Sequence, residues 1–409
     1  MRRNIVTSTL WPIYFLCFFG VQYFSDWWLL KIAGIRGGNN FGDLGAVLQW
    51  SDCFKKVGSS VYGLSEGVCG NYNYGSALLR VFNLLEIAAS QTMFWGIVGG
   101  VVFCIGLGLL AAFLVSQKAA SPIVVGLVLS SPPIWLLLER ANIDELIFFL
   151  LVIASFLLIR GFDFGAIAII SITALFKFYT LPLLLILAIT SKSKKSRVIA
   201  LCAFILVVPL IAIDFFKIQV DFPSGWFVSF GVPAIGFWIN EIGEQFGLSW
   251  LHIGALTGHV LGLVVFVTST AILRMFTKRT SGNLEGSNYQ ESVKKEIEHL
   301  FVILGSVFVI CYLLGMNYDY RLIFVAVSGL TLVAQSQKVR LGNRLQYLLT
   351  LGLWLTCFSF GLQSFSFFLV MLIQFMGDII ISIFAAFLSL RLIDIIIKGF
   401  RQNMFHVFG

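Results

Sequence analysis

Apolar runs close to the length that crosses a bilayer recur from one end of this 409-residue chain to the other. A soluble core of this size does not need them, because each of its helices buries one apolar face and leaves the other wet. Apolar residues make up 58% of the chain and charged residues 12%, so charge is confined to short stretches between the runs. The expected fold is all-α and polytopic. Spans fall at about 9–31, 92–116, 122–138, 145–160, 164–177, 179–191, 197–216, 251–273, 300–315, 322–336, 345–362 and 367–390, roughly twelve in all. The two runs beside Lys177 are each too short to cross about 30 Å unaided, so they are expected to form a re-entrant hairpin shielded by neighbouring helices. The stretch after Met1 continues to Leu30 without a small-x-small cleavage site, and is expected to be a retained span rather than a secretory signal.

The net charge of +8 does not point to nucleic acid, because the Lys and Arg sit in clusters between spans rather than on one basic face. With the N-terminus inside, the cytoplasmic segments collect about 19 of the 28 basic residues, among them Lys118, Arg160, the Lys192–Arg197 cluster and Arg391–Arg401. Asp43, Asp52, Glu139, Asp144, Asp214, Asp221, Glu241 and Asp319 lean to the opposite side. An inner or plasma membrane protein with both termini cytoplasmic is expected, its active groove facing outward. The whole chain, 1–409, is expected to form one integral membrane domain.

Only two outer segments are long enough to hold chemistry, 32–91 and 217–250. The cytoplasmic stretch Lys278–His299 looks like a solvated connector and holds no Gly-rich phosphate loop, which excludes a soluble nucleotide-sugar donor. The first outer segment ends in Gly75–Glu86, where Arg80, Asn83 and Glu86 fall on one helical stripe and Leu78, Phe82 and Leu85 on another, the pattern of a helix lying in the interface. The second is rich in Trp and Phe, as in an aromatic belt or the wall of a lipid groove. Gly254, Gly258 and Gly262 form a small-residue ridge suited to close helix packing. Cys53 and Cys69 share the first outer segment, where an oxidising compartment would let them form a disulfide. His252 and His259 share a helix face, but no carboxylate or Cys pattern completes a metal site there.

The first outer segment contains Gly42-Asp43-Leu44, then Gly58 and Tyr62, then Tyr72-Asn73-Tyr74 leading into the interfacial helix. This layout resembles glycosyltransferase superfamily C, the polyprenol-phosphate-sugar-dependent enzymes. Glu139-Arg140-Ala141-Asn142-Ile143-Asp144, Ala174-Leu175-Phe176-Lys177-Phe178-Tyr179-Thr180-Leu181-Pro182 and Asn317-Tyr318-Asp319-Tyr320-Arg321 narrow the resemblance to glycosyltransferase family 87, the mannosyltransferase-like group also described as domain of unknown function 2029. The match covers residues 1 to about 336 in layout, which would make 1–336 the catalytic-type core and 337–409 a set of C-terminal helices. Two departures stand out: Ala141-Asn142 replaces the usual Gly-Gln or Gly-Asn, and the Pro expected soon after Tyr74 is absent.

The resemblance implies an enzyme that moves a sugar, mannose in the related group, from a polyprenyl phosphate to an acceptor hydroxyl of a lipid or glycan, with inversion at the sugar carbon. Such a transfer needs a base at the acceptor and cations where phosphate charge grows. Asp43 is the expected base, with Asp52 as its rival. Lys177 and Arg321 are expected to bind the donor phosphate, and Arg140, Asn142, Asp144, Tyr74 and Tyr320 to line the sugar and acceptor pocket. The competing readings are a helix cap for Asn142 and Asp144, snorkelling for Lys177 and interfacial anchoring for Arg321. No resident cofactor is expected, although Asp43 with Asp52 could hold a divalent ion weakly. A transporter or lipid flippase, and a lipid-linked glycan polymerase or ligase, remain as alternatives at this level.

Overall fold

A computed structural model of the chain describes residues 2–24, 41–62, 72, 74–217, 229–248, 254–280, 288–314, 317–335, 340–358 and 367–408. It is all-helical, and its apolar helices make it a multi-pass membrane protein. In chain order the helices are α1 (Arg2–Phe24), α2 (Gly42–Val57), α3 (Ser76–Leu84), α4 (Thr92–Ser116), α5 (Pro122–Leu129), α6 (Pro132–Arg140), α7 (Asp144–Ile159) and α8 (Asp163–Phe176). They continue as α9 (Pro182–Thr190), α10 (Lys194–Phe215), α11 (Ala234–Gln245), α12 (Ala255–Thr280), α13 (Asn288–Leu314), α14 (Ile323–Gln335), α15 (Arg340–Phe358) and α16 (Phe367–Phe408). One two-residue antiparallel pairing, β1 (Ser229–Phe230) with β2 (Asn317–Tyr318), interrupts the pattern.

Among the described residues, the stretches Ala89–Ser116, Lys194–Phe215, Ile297–Leu314 and Leu372–Gln402 are long and apolar enough to cross a bilayer. A fifth span is added if α5 and α6 count as one. Residues 122–138 do not form the straight helix expected of them: α5 and α6 bend by 44° at Ser130 and Ser131. Pro132 and Pro133 cause the break, since neither can donate an amide to the preceding turn. The indole of Trp135 donates to the Ser130 carbonyl at 2.6 Å, satisfying an acceptor exposed there. Two further differences are extensions. The supposed connector before His299 is helical from Asn288, and the last helix runs 42 residues, to Phe408.

The chain sorts into two compact units, each assembled from separated stretches. The first contains Met1–Gly38, Cys104–Leu137 and Phe222–Leu392. Its core is the packing of α13 on α14, where Leu300, Phe301, Leu304 and Phe308 are buried with Leu322 to Leu330. Two of the three ridge glycines, Gly258 and Gly262 on α12, pack as their spacing implied. A Cβ added at Gly258 would lie 2.9 Å from the Gly236 Cα, and one at Gly262 only 2.0 Å from the Val232 carbonyl oxygen. Gly254 meets nothing within 4 Å. The polar groups of this unit include the Trp238 indole, which donates to Asp378 at 2.6 Å, and Tyr312, whose hydroxyl bonds Ser382 at 2.7 Å.

The second unit contains Asn39–Phe103, Leu138–Asp221 and Ile393–Gly409. Here the hairpin around Lys177 can be traced from its contacts. At the start of α8, Asp163 accepts a bond from Ser196 in the first turn of α10. Just past the end of α8, Phe178 meets Phe215 at the end of α10, ring centroids 6.1 Å apart. α8 and α10 therefore run parallel, and α9, which returns from Phe178 to Ser191, runs antiparallel to both. At 1.5 Å per residue α8 rises about 21 Å and α9 about 14 Å, neither enough to cross a bilayer alone. Lys177 stands at the fold of the hairpin, and the Lys192–Arg197 cluster stands at its open end.

The stretch between α1 and α4 carries α2, a helix that its mixed composition did not reveal. Ser51 on this helix donates to Asn83 at 3.0 Å, and its neighbours Val47 and Leu48 are buried, which docks α2 on α3. In α3 itself Leu78 is buried as its stripe required, while Leu85 is 61% exposed, so the apolar stripe is only partly covered by protein.

Candidate functional site

The end of the second unit that holds Lys177 gathers five chain segments: the start of α2, the α6–α7 corner, the fold of the hairpin, the start of α3 and the end of α10. The backbone fixes how closely they approach. Gly75 donates to the Phe176 carbonyl at 3.2 Å, and an added Cβ there would collide with the Leu175 carbonyl oxygen at 1.8 Å. Glycine thus lets the preceding residue, Tyr74, reach the hairpin. Asp214, near the end of α10, accepts the Ser76 amide at 2.7 Å and holds the start of α3 against the same end.

Around these approaches lies a layer of tyrosines. Tyr72 packs with Trp50, Tyr62 and Tyr74, at centroid distances of 5.3, 5.6 and 5.5 Å. Burial, reinforced by Asp214, pushes the Tyr62 hydroxyl far above the usual phenol range, and burial beside Tyr62 and Tyr74 does the same to Tyr72. Both therefore remain donors, Tyr62 to the Tyr74 carbonyl at 3.1 Å and Tyr72 to the Gly75 carbonyl at 3.0 Å.

Lys177 is 2% exposed and fully engaged. Its ammonium lies 2.8 Å from Asp144 Oδ1, 3.1 Å from Asn142 Oδ1 and 4.3 Å from the centre of the Tyr74 ring. The Tyr179 hydroxyl also donates to Asp144 Oδ1. Two oxygens and a π-face thus surround an ion that would otherwise be costly to bury. The donor-phosphate role expected of Lys177 does not suit this setting, because its charge is already matched and closed off from solvent. Snorkelling does not describe it either. Asp144, 0% exposed, is likewise the partner of Lys177 and Tyr179 rather than a pocket wall.

Asn142 joins this buried pair to a more open carboxylate. Its Oδ1 accepts both Lys177 and the Asp144 amide, the latter at 3.0 Å, while its Nδ2 donates to Asp43 Oδ2 at 2.6 Å. The capping and pocket readings of Asn142 therefore describe two ends of one side chain. Asp43 Oδ1 meets Arg140 at 3.4 Å, a loose contact between side chains that are 26% and 40% exposed. Arg140, with its side chain 40% exposed, is far more open than Lys177, at 1%. Beside it, Glu139 is 7% exposed and its Oε2 has no hydrogen-bond partner among the described residues.

Two strained residues set this arrangement. Phe41 has φ 64° as it leads into α2, and Ala141 has φ 43° at the α6–α7 corner. The Phe41 amide donates to the Glu139 carbonyl at 2.6 Å, tying the two strained points together. Its ring fills the space left by Gly96 of α4, where a Cβ would come within 2.2 Å. Asp43 follows two residues later.

Asp52, the rival base, accepts the Ala89 amide at 3.1 Å and steadies the approach to α4. Nine residues separate it from Asp43, which on a helix means about 13 Å of rise and opposite faces. Those two carboxylates cannot share one ion, and among the described residues no group of three or more His, Cys, Asp or Glu is arranged to hold a metal. Cys53 is disulfide-bonded. Cys69, His252 and the side chain of Tyr320 lie outside the described residues. Arg321 belongs to the first unit, in the short turn Asp319–Leu322.

Sequence reasoning missed the Asp144–Lys177 pair, Tyr179 and the packing of Phe41 into Gly96. A signal for the pair did exist, since a Lys among apolar helices needs an acid and the preceding span opens with Asp144 and Glu145. Nothing in the local pattern marks the fit of Phe41 to Gly96. Compared with known protein families, with characterised proteins and with solved structures, the chain matches none.

Proposed function

We propose that this protein is a membrane glycosyltransferase that moves a sugar from a polyprenyl phosphate to an acceptor hydroxyl on the extracytoplasmic side. The observation that carries the proposal is Asp43, a carboxylate about a quarter exposed, oriented from behind by Asn142 and flanked by the more open cation of Arg140. Asn142 occupies Oδ2 at short range, which leaves Oδ1, with only a long contact, to take the acceptor proton. The acceptor oxygen bonds the anomeric carbon as the bond from that carbon to the phosphate oxygen breaks. Polyprenyl phosphate leaves with its charge beside Arg140. The task first expected of Lys177 thus passes to Arg140. Lys177 fixes Asn142 and so acts on Asp43 at one remove.

Three features support this reading. Ala141 stands where the resembled family carries Gly, and it adopts the left-handed backbone that Gly prefers. Asp43 lies on the same helix as disulfide-bonded Cys53, as suits an oxidising compartment. The Lys192–Arg197 cluster lies at the far end of α10 from Asp214, as suits a cytoplasmic face. On this reading the chain makes about twelve crossings or half-crossings with both termini inside, and α8–α9 enter as a re-entrant hairpin. Donor, acceptor and surrounding lipid are its partners.

The test is transfer from a panel of labelled polyprenyl-phosphate sugars by the purified protein. Asp43→Asn should lower the rate on the order of 100-fold or more while leaving the protein folded. Unchanged transfer by that variant would remove Asp43 from the mechanism, and failure of every donor to react with the unmodified protein would end the transferase proposal.

A further inference from the structure

At the end of the second unit opposite Lys177, three elements bring cations to one surface. The α9–α10 turn presents Lys192, Lys194 and Lys195, all exposed, with Arg197 half-buried behind them. The C-terminal part of α16 reaches the same turn. A Cβ added at Gly399 would lie 3.0 Å from the Ile189 carbonyl oxygen and 3.2 Å from the Thr190 Cα, so exposed Lys398 and Arg401 flank that contact. The α7–α8 turn joins through the bond from Ser196 to Asp163, which brings in exposed Arg160. The acids on this surface are Asp163, engaged with Ser196, and Asp394, one turn before Lys398.

Orientation in the membrane explains basic residues anywhere on this face, but not where these stand. Lys194 and Lys195 open α10, where backbone amides point outward, and no acid lies in that first turn. Positive charge at the positive end of a 22-residue helix is unfavourable unless an anion is shared between them. An independent sign is Arg197, whose Nε is buried and meets no hydrogen-bond acceptor among the described residues. A guanidinium donor held in that way suits a charged oxygen.

The apolar surroundings identify the kind of anion. Directly after the cations, α10 exposes Val198 and Leu201, 52% and 45%, and α16 exposes Ile397 and Phe400, 39% and 55%. Cations at the rim with bare apolar surface beside them fit a molecule with a charged head and hydrocarbon tails. We propose that this surface binds the phosphate headgroup of anionic phospholipids, at the start of α10 and between that turn and the C-terminal helix. The proposal does not depend on the transferase reading.

The test is thermal unfolding of the full purified chain in neutral-detergent micelles that carry equal amounts of phosphatidylglycerol or phosphatidylcholine, with inorganic phosphate as a third arm. Phosphatidylglycerol should raise the midpoint roughly 5 °C above phosphatidylcholine, and inorganic phosphate should not. The triple variant Lys194→Gln, Lys195→Gln, Arg197→Gln should lose the difference. The double variant Lys398→Gln, Arg401→Gln should lose a clear part of it, while Lys398→Arg keeps it. Equal midpoints in the two lipids would overturn the proposal, and an equal effect of inorganic phosphate would make the ligand a soluble anion instead. Should the triple variant fail to fold, the double variant decides, because its side chains are exposed: a retained lipid preference there removes the C-terminal helix from the site and refutes the surface as proposed.

Discussion

At one end of the second unit Lys177 is enclosed by Asp144, Asn142 and Tyr74. At the other end Lys192, Lys194 and Lys195 stand exposed with no carboxylate in the turn they occupy. The same α8–α9 hairpin supplies or adjoins both groups, so the contrast does not come from different helices. It comes from what surrounds each end. Enclosed charges fix geometry, because every partner has one position. Exposed charges leave their partners to be supplied from outside.

The contrast is most sharply tested at Lys177. Removing one member of a buried ion pair strands the other, so Lys177→Met should destabilise the protein by about 3–5 kcal/mol. The double variant with Asp144→Asn should recover part of that, measured as a coupling energy in detergent unfolding. Additive effects would mean the pair is not a unit. Gly75→Ala comes next. Its Cβ has nowhere to go against the Leu175 carbonyl, and overpacking of this kind costs about 1–3 kcal/mol. Transfer activity should fall with it as Tyr74 is pushed off the hairpin.

Asn142→Ala should cost about 1–2 kcal/mol and also slow transfer, because Asp43 loses its short bond while Lys177 keeps Asp144. A stability loss with normal turnover would detach the enclosed pair from the open carboxylate. Ala141→Gly should stabilise by up to about 1 kcal/mol, since glycine takes a positive φ without strain. The smallest effect is expected at the exposed end, where Lys192→Gln should shift stability by under about 0.5 kcal/mol in neutral detergent. A larger change there would mean that the exposed cations are structural after all.

The sequence made the helical class legible because apolar runs need no partner to be recognised. The hairpin was legible too, from two runs too short to cross on either side of a lysine. The 44° bend was marked by Ser130, Ser131, Pro132 and Pro133, yet the apolar runs on both sides made the stretch read as one span. α2 and the start of α13 escaped notice because amphipathic helices made of ordinary polar residues lack the signal that long apolar runs provide. At the site, Asp43, Arg140, Asn142 and Lys177 were singled out individually. Their division of labour was not legible: Asp144 and Lys177 lie 33 residues apart, and only the fold shows that one neutralises the other.

The ring of Phe41 lies where Gly96 has no side chain, and Asp43 follows it by two positions. The carboxylate is therefore aligned by a plug and socket, the residue before α2 set into a gap on α4, whose two halves have no chemistry of their own. Neither half can be altered alone. Gly96→Ala should be tolerated only with a smaller residue at 41, so a mutational survey would find these two positions linked although neither side chain carries a charge.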